Sequence, residues 1–346
     1  MHRRSFLQKT SLSLLAPVSV AAMETSPNRP RQPRIKPARL REGATIGLIA
    51  PASPVSDEKL ATALSNLAAL GFRVKEGASL RARTGYLAGS DEARLADLHR
   101  AFADPEVDAV WCVRGGYGIT RLLPQIDYAL IRRNPKPLLG YSDVTALHLA
   151  VGKKAGLVSF HSPVAASDFP EDTLAHFKAV LMQPAAGYTI AAPGAEAELA
   201  GEEFRPYTIS PGTAGGALTG GNLSLLAALA GTPFAPSFRG KIVFIEEVGE
   251  QPYRVDRLLT QLFQATDLGQ AAGIALGVFA DCAAKNPEFS FTLQETLHDR
   301  FAALGIPVCY GLPFGHVAHQ ATFPYGMQAE FDAGKRTLAL LEAGVQ

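Results

Sequence analysis

Residues 137–156 read Pro137-Leu138-Leu139-Gly140-Tyr141-Ser142-Asp143 and then VTALHLAVGKKAG. A short apolar run followed at once by a helical pattern predicts a strand that turns directly into a helix, the building step of an α/β fold. The same alternation recurs upstream. Ala44 to Ala50 is an apolar run stopped by Pro51, suited to a strand buried on both faces. Ser56 is placed to cap a helix whose Leu60, Leu64, Leu67 and Leu70 step by three and four before Gly71 stops it. Phe72 to Val74 reads as a strand. Ser90 opens a second helix carrying Leu95, Leu98 and Phe102, which Asp104-Pro105 ends, and Val107 to Val113 is a further strand. Strand and helix alternate, so the sequence predicts a mostly parallel sheet with helices on both sides.

Downstream of this N-terminal domain, 44–175, the regularity fades over 176–215, which reads as an interdomain linker. A C-terminal domain, 216–335, opens near Gly220-Gly221-Asn222 with a helix from Leu223. A strand at Lys241 to Ile245 follows, then a helix carrying Val255, Leu258, Leu259 and Leu262. Later elements are a strand near Ile274 to Phe279, a helix at Leu293 to Leu304 and a strand at Ile306 to Tyr310. Residues 336–346 read as a tail.

With 346 residues, 47% of them hydrophobic and 19% charged, the chain has material for two domains and too little charge for a disordered one. Thirty-three Lys/Arg against 32 Asp/Glu leave a formal charge of +1, which excludes the strong field of a nucleic-acid binder. Three cysteines exclude a multi-disulfide framework and a Cys₄ zinc site. The near-balance hides nine Lys/Arg and two Asp/Glu within residues 1–44. MHRRSFLQK precedes the weakly apolar TSLSLLAPVSVAA, which is too short to span a bilayer and ends in small residues at signal-peptidase spacing. Arg3-Arg4-Ser5-Phe6-Leu7 resembles a twin-arginine export signal, with Gln8 where lysine is frequent. The expectation is a signal peptide over 1–22, an extended lead-in over 23–43 and a periplasmic protein with no membrane span. A cytoplasmic protein is the alternative if the signal is not used.

The chemistry-bearing residues fall where strands end. Ser142 stands at the tip of a strand and opens a helix, where a hydroxyl is held clear of the sheet and unpaired N–H groups face a developing oxyanion. The hydrolase elbow G-x-S-x-G is matched only in its first half, and a helix cap is the competing role for Ser142 or Asp143. Arg114-Gly115-Gly116-Tyr117-Gly118 follows a strand and serves equally as an oxyanion-binding turn or a plain tight turn. Among the histidines, His316 in Gly311-Leu312-Pro313-Phe314-Gly315-His316 lies on a loop after a strand and is open to a catalytic or a loop-bracing role. His161 either approaches the site or satisfies a core hydrogen bond. His319 lies close enough to His316 to raise a metal reading, and no third ligand has a matching spacing. Ile242 to Ile245 leads into Glu246-Glu247, either of which could orient an imidazole or merely reach solvent.

Together GYLAGSDEARLADLHRAFADP, VRGGYGITRLLP, PKPLLGYSDVTALHLA, GGNLSLLAALAGTPF, FIEEVGEQPYRVDRLLTQL and GLPFGH resemble the LD-carboxypeptidases, muramoyltetrapeptide carboxypeptidase-like serine peptidases. That family also includes the microcin C7 self-immunity peptidases. The resemblance runs over residues 44–335. It implies a flavodoxin-like N-terminal domain with a parallel sheet and a smaller β-rich α/β C-terminal domain. It implies a triad of Ser142 as nucleophile, His316 as base and Glu246 as acid, with Glu247 where the family more often has aspartate. The amides of Gly116 and Asp143 match the oxyanion hole. The implied reaction releases D-alanine from murein tetrapeptides at the L-centre of meso-diaminopimelate, by a homodimer that needs no metal or cofactor. Arg114 and Arg254 are candidates for holding the substrate carboxylate, or else salt bridges bracing loops. A peptidase of toxic peptide–nucleotide conjugates and a non-enzymatic, exported two-lobed solute-binding protein are the alternatives.

Overall fold

The computed structural model describes residues 34–194 and 204–346. The expected signal at 1–22 lies outside them. From β1 (Thr45–Ile49) the chain runs through α1 (Asp57–Ala69), β2 (Arg73–Glu76), α2 (Asp91–Ala103), β3 (Ala109–Cys112), α3 (Tyr128–Arg133), β4 (Leu138–Gly140), α4 (Val144–Lys154) and β5 (Phe160–His161). Ser56 and Ser90 accept the Lys59 and Ala93 amides as helix caps. The five strands are parallel in the order β5-β4-β3-β1-β2, and β1 and β3 are buried along their whole length. Trp111 of β3 anchors one face: its ring stacks on Phe177 at 4.9 Å, and its Nε1–H donates to the Pro163 carbonyl at 2.9 Å.

The segment expected as an irregular linker, 176–215, is largely regular where described. α5 (Glu171–Phe177) continues into a wider helical turn over Lys178–Met182, and β6 (Tyr188–Ala191) and β7 (Tyr207–Ser210) follow. The glycine-rich β8 (Thr213–Asn222) then leads into α6 (Leu223–Leu229), β9 (Ile242–Val248), α7 (Pro252–Ala265), β10 (Gly273–Ala280), α8 (Leu293–Phe301) and β11 (Val308–Tyr310). β12 (Phe323–Pro324) crosses back and pairs antiparallel with β5, so the far end of the chain closes the first sheet. β13 (Gln328–Asp332) and β14 (Thr337–Leu340) complete a second, eight-stranded mixed sheet in the order β6-β14-β13-β8-β9-β10-β11-β7. The expected tail 336–346 therefore contains a strand, and the Gln346 backbone bonds Pro37 and Arg39. The structure is two α/β halves on mixed sheets within one compact unit.

β8 works in both directions. Its first half pairs with β13 and its second half with β9, and it ends against α4. A Cβ on Gly220 would lie 1.8 Å from the Phe244 carbonyl oxygen, and one on Gly221 2.4 Å from Thr145 Cγ2. Only glycines let the backbone come this close. The Asn222 amide then donates to Thr145 Oγ1 at 3.1 Å, tying the second sheet to the helix that follows Ser142.

Candidate active site

β4 is three residues long, and the turn behind it is tight enough to force Ser142 to φ 63°, a left-handed conformation that a serine rarely holds. Neither Ser142 nor Asp143 caps α4 with its side chain, which removes the helix-cap role. The hydroxyl points across to the other sheet instead, where His316 Nε2 stands 3.0 Å from Ser142 Oγ. His316 Nδ1–H donates to Glu246 Oε2 at 2.8 Å.

Each partner is held by its own element. β9 continues through both glutamates, so alternation sends them to opposite sides. Glu246 is fully buried beneath His316. Glu247 turns away and accepts from Asn222 Nδ2 at 3.0 Å, from the Ser224 amide and hydroxyl at 2.7 Å each, and from the Val248 amide at 2.8 Å. Its task is to fasten the start of α6 to β9. The loop bearing His316 lies along β10, where the Val278 amide donates to the Phe314 carbonyl at 2.9 Å. A Cβ on Gly315 would be 3.3 Å from Glu246 Cβ, so glycine there lets the loop press onto the acid. Burial pushes the His316 imidazole down, but the hydrogen bond and charge of Glu246, with the charge of Glu247, outweigh it and raise its pKa.

The glycine turn after β3 faces the serine. A Cβ on Gly115 would lie 3.0 Å from Ser142 Cβ and 3.4 Å from the Asp143 nitrogen, whereas one on Gly116 would strike Ser53. Neither the Gly116 nor the Asp143 amide donates to a protein acceptor among the described residues. Both amides are therefore unpaired among the described residues, on the two segments that meet where Gly115 approaches Ser142.

The remaining sequence candidates lie outside the relay. Arg114, which precedes Gly115, donates through Nη1 to the Pro54 carbonyl at 2.9 Å, and Arg254 pairs with Glu250 four residues back. His319 Nδ1 bonds the Asp172 carboxylate at 2.7 Å on the surface. His161 makes no core hydrogen bond, since both ring nitrogens lack a partner; the fully buried ring stacks 4.8 Å from Phe323 and packs against Tyr141, whose ring also meets His316. Residues to which sequence reasoning gave no role in the site are Asn222 and Ser224, which hold Glu247. The GGNLS run carried the only signal for them.

Residues 46–162 match the model of the LD-carboxypeptidase N-terminal domain and residues 215–331 that of the C-terminal domain. The chain is 43% identical over 316 residues to a probable murein peptide carboxypeptidase of Bacillus subtilis, covering 90% of this chain and 95% of the relative. It is 37% identical to the murein tetrapeptide carboxypeptidase of Pseudomonas aeruginosa, covering 84% and 94%. Among solved structures, the muramoyltetrapeptide carboxypeptidase from Oxalobacter formigenes superposes with a TM-score of 0.75 at 31% identity, covering 87% of this chain and 99% of that one.

Proposed function

The chain belongs to the LD-carboxypeptidase family, and on that premise we propose that it removes the terminal D-alanine of murein tetrapeptides at the L-centre of meso-diaminopimelate. The single observation that carries this reading is the unbroken relay from Ser142 Oγ through His316 to the buried Glu246, at 3.0 and 2.8 Å. Ser142 attacks the scissile carbonyl while its proton passes to His316 Nε2. Glu246 keeps Nδ1 protonated and stabilises the imidazolium. The amides of Gly116 and Asp143 receive the negative oxygen, the position where preorganised donors contribute most. His316 then protonates the departing D-alanine amine as the C–N bond breaks. Water repeats the attack on the acyl-enzyme, returning Ser142 and the tripeptide.

The test is amino-acid release from L-Ala-γ-D-Glu-meso-DAP-D-Ala, from the analogue ending in L-Ala, and by the Ser142→Ala variant. D-alanine release by wild type alone supports the reading. Turnover by folded Ser142→Ala rejects the serine mechanism.

The proposal has three further parts. The first sheet is flavodoxin-like, for which the order 2-1-3-4-5 of its parallel strands argues. The protein acts as a homodimer, which sedimentation at micromolar concentration tests. It is exported through the twin-arginine route on the strength of Arg3-Arg4 and the short apolar run behind them. An Arg3→Lys, Arg4→Lys double variant that still reached the periplasm would refute that route.

A further inference from the structure

The glycine turn that faces Ser142 has little stiffness of its own. Gly115, Gly116 and Gly118 fall within four residues, and Gly116 and Gly118 have φ of 121° and 125°. An oxyanion donor works only if its direction is fixed before charge develops, so something outside the turn must fix it. Behind it lies Arg94 of α2, a fully buried cation. Its Nη1 donates to the Gly118 carbonyl at 3.1 Å and to the Pro51 carbonyl at the end of the β1 strand path. Its Nη2 pairs with Asp91, whose carboxylate also takes Arg121 at 3.0 Å. A Cβ on Gly118 would lie 2.9 Å from Arg94 Nη1, so the guanidinium and the turn are in direct contact.

From the other side comes Asp143. Its carboxylate Oδ2 accepts from the Ile119 amide at 2.9 Å, the first peptide after the turn. Burial outweighs the Ile119 hydrogen bond and the Arg94 charge and raises this carboxyl to about 6. Ser53 Oγ takes the Tyr117 amide at 3.1 Å in the middle. The turn is thus held at three successive points, and the residue holding its far end is the one whose own amide is the second oxyanion donor.

We propose that Arg94 and the Asp143 carboxylate are positioning residues that fix turn 115–119 against Ser142 and so aim the two oxyanion donors at one point. The proposal rests on the serine-peptidase reading above. Arginine suits the task because one planar fork spans two carbonyls and a carboxylate, which a lysine ammonium on a single stem cannot.

The experiment compares Arg94→Lys, Asp143→Ala and Asp143→Asn with wild type. It reads kcat and KM on the tetrapeptide, melting temperature, and the rate at which an alkyl fluorophosphonate modifies Ser142. In that modification Ser142 Oγ bonds phosphorus, its proton passes to His316 Nε2 and fluoride leaves, while the phosphoryl oxygen occupies the oxyanion site, whatever the natural substrate. Folded Arg94→Lys and Asp143→Ala should lose roughly 10- to 100-fold in kcat with KM within about threefold, and labelling should slow in parallel. Asp143→Asn keeps an acceptor oxygen for Ile119 and should recover most of the loss. A purely structural role predicts lower melting temperatures with kcat per folded molecule unchanged. Values of kcat and labelling within about threefold of wild type in Asp143→Ala and Arg94→Lys overturn the proposal. If Arg94→Lys does not fold, the contrast between Asp143→Ala and Asp143→Asn decides on the same criteria. Wild type that is labelled at Ser142 yet inert on the tetrapeptide refutes the substrate and leaves positioning to be judged on labelling rates. Wild type that does neither refutes both.

Discussion

Glu246→Gln removes one charge and almost no volume from beneath His316. In the wild type the carboxylate accepts from Nδ1–H, leaving Nε2 bare toward Ser142 Oγ. Glutamine offers an NH₂ that can bond a bare Nδ1, which moves the ring proton to Nε2 and leaves the base unable to accept. The second loss is electrostatic. When His316 becomes an imidazolium, its charge stands 2.8 Å from a carboxylate that is fully buried, on a ring 22% exposed. At an effective dielectric of about 20, unit charges at that separation attract by about 6 kcal/mol. At about 1.4 kcal/mol per decade this sets a ceiling near 10⁴-fold. The amide dipole returns part of it, so kcat should fall on the order of 10³- to 10⁴-fold with KM little changed.

The pH profile adds an independent sign. His316 must be neutral to act, and Glu246 holds its pKa above 6.5, so kcat/KM falls as pH drops through that raised value. Without the charge, burial prevails and the acid limb should move to lower pH. The assay is steady-state release of D-alanine across pH, beside the melting temperature of each variant. A loss under about tenfold in folded Glu246→Gln, or an acid limb that does not move, would refute the assigned role.

Other outcomes follow from neighbouring residues. Glu247→Gln puts an amide among the donors of Asn222, Ser224 and Val248, so stability should fall by about 1–3 kcal/mol while kcat per folded molecule drops less than about tenfold. A larger kcat loss there than at Glu246 would reverse the assignment. Because Ser142 sits at φ 63°, Ser142→Gly should be more stable than Ser142→Ala by about 1 kcal/mol, with both inactive. Urea unfolding that ranks them the other way would show the backbone is not strained. His148 is buried and neutral, its pKa lowered to about 4, so the unfolded chain binds its proton first as pH falls. Stability from this group is therefore lost between about 6.5 and 4, by roughly 3 kcal/mol in all. His148→Gln should flatten the melting-temperature profile over that window relative to wild type. The opposite contribution of His316 is common to both proteins and cancels.

Local patterning was readable wherever one element decides its own form. The capped helices α1 and α2, the apolar β1 and β3, and the strand-to-helix step at Ser142 all announce themselves within a dozen residues. β8 does not, because its TAGGALTGGN run sets four glycines against two β-branched residues, Thr213 and Thr219, and has no aromatic. What selects glycine there is the approach of Phe244 and Thr145, distant in sequence. β5 and β12 have two residues each and no periodicity to read. In the site, Ser142, Glu246 and His316 were legible through family motifs, since spacing alone left each with a bland alternative. Arg94 was invisible for a physical reason. A charged residue in an amphipathic helix normally points to water, and only the loops folded over α2 turn it inward.

The strand that closes the first sheet is also the last of its strands to be made. Thr322 and Ser162, neighbours across that edge, are 160 residues apart in the chain. At roughly 5–20 residues per second, a growing polypeptide would display β5 with an open side for on the order of 10–30 s before β12 reaches it. His316 emerges only shortly before β12, so throughout that interval the serine stands in its strained turn with no base beside it. A peptidase assembled in this order is inert while it is being translated, and during the same seconds its exposed strand edge is the surface most open to wrong pairing or to a chaperone.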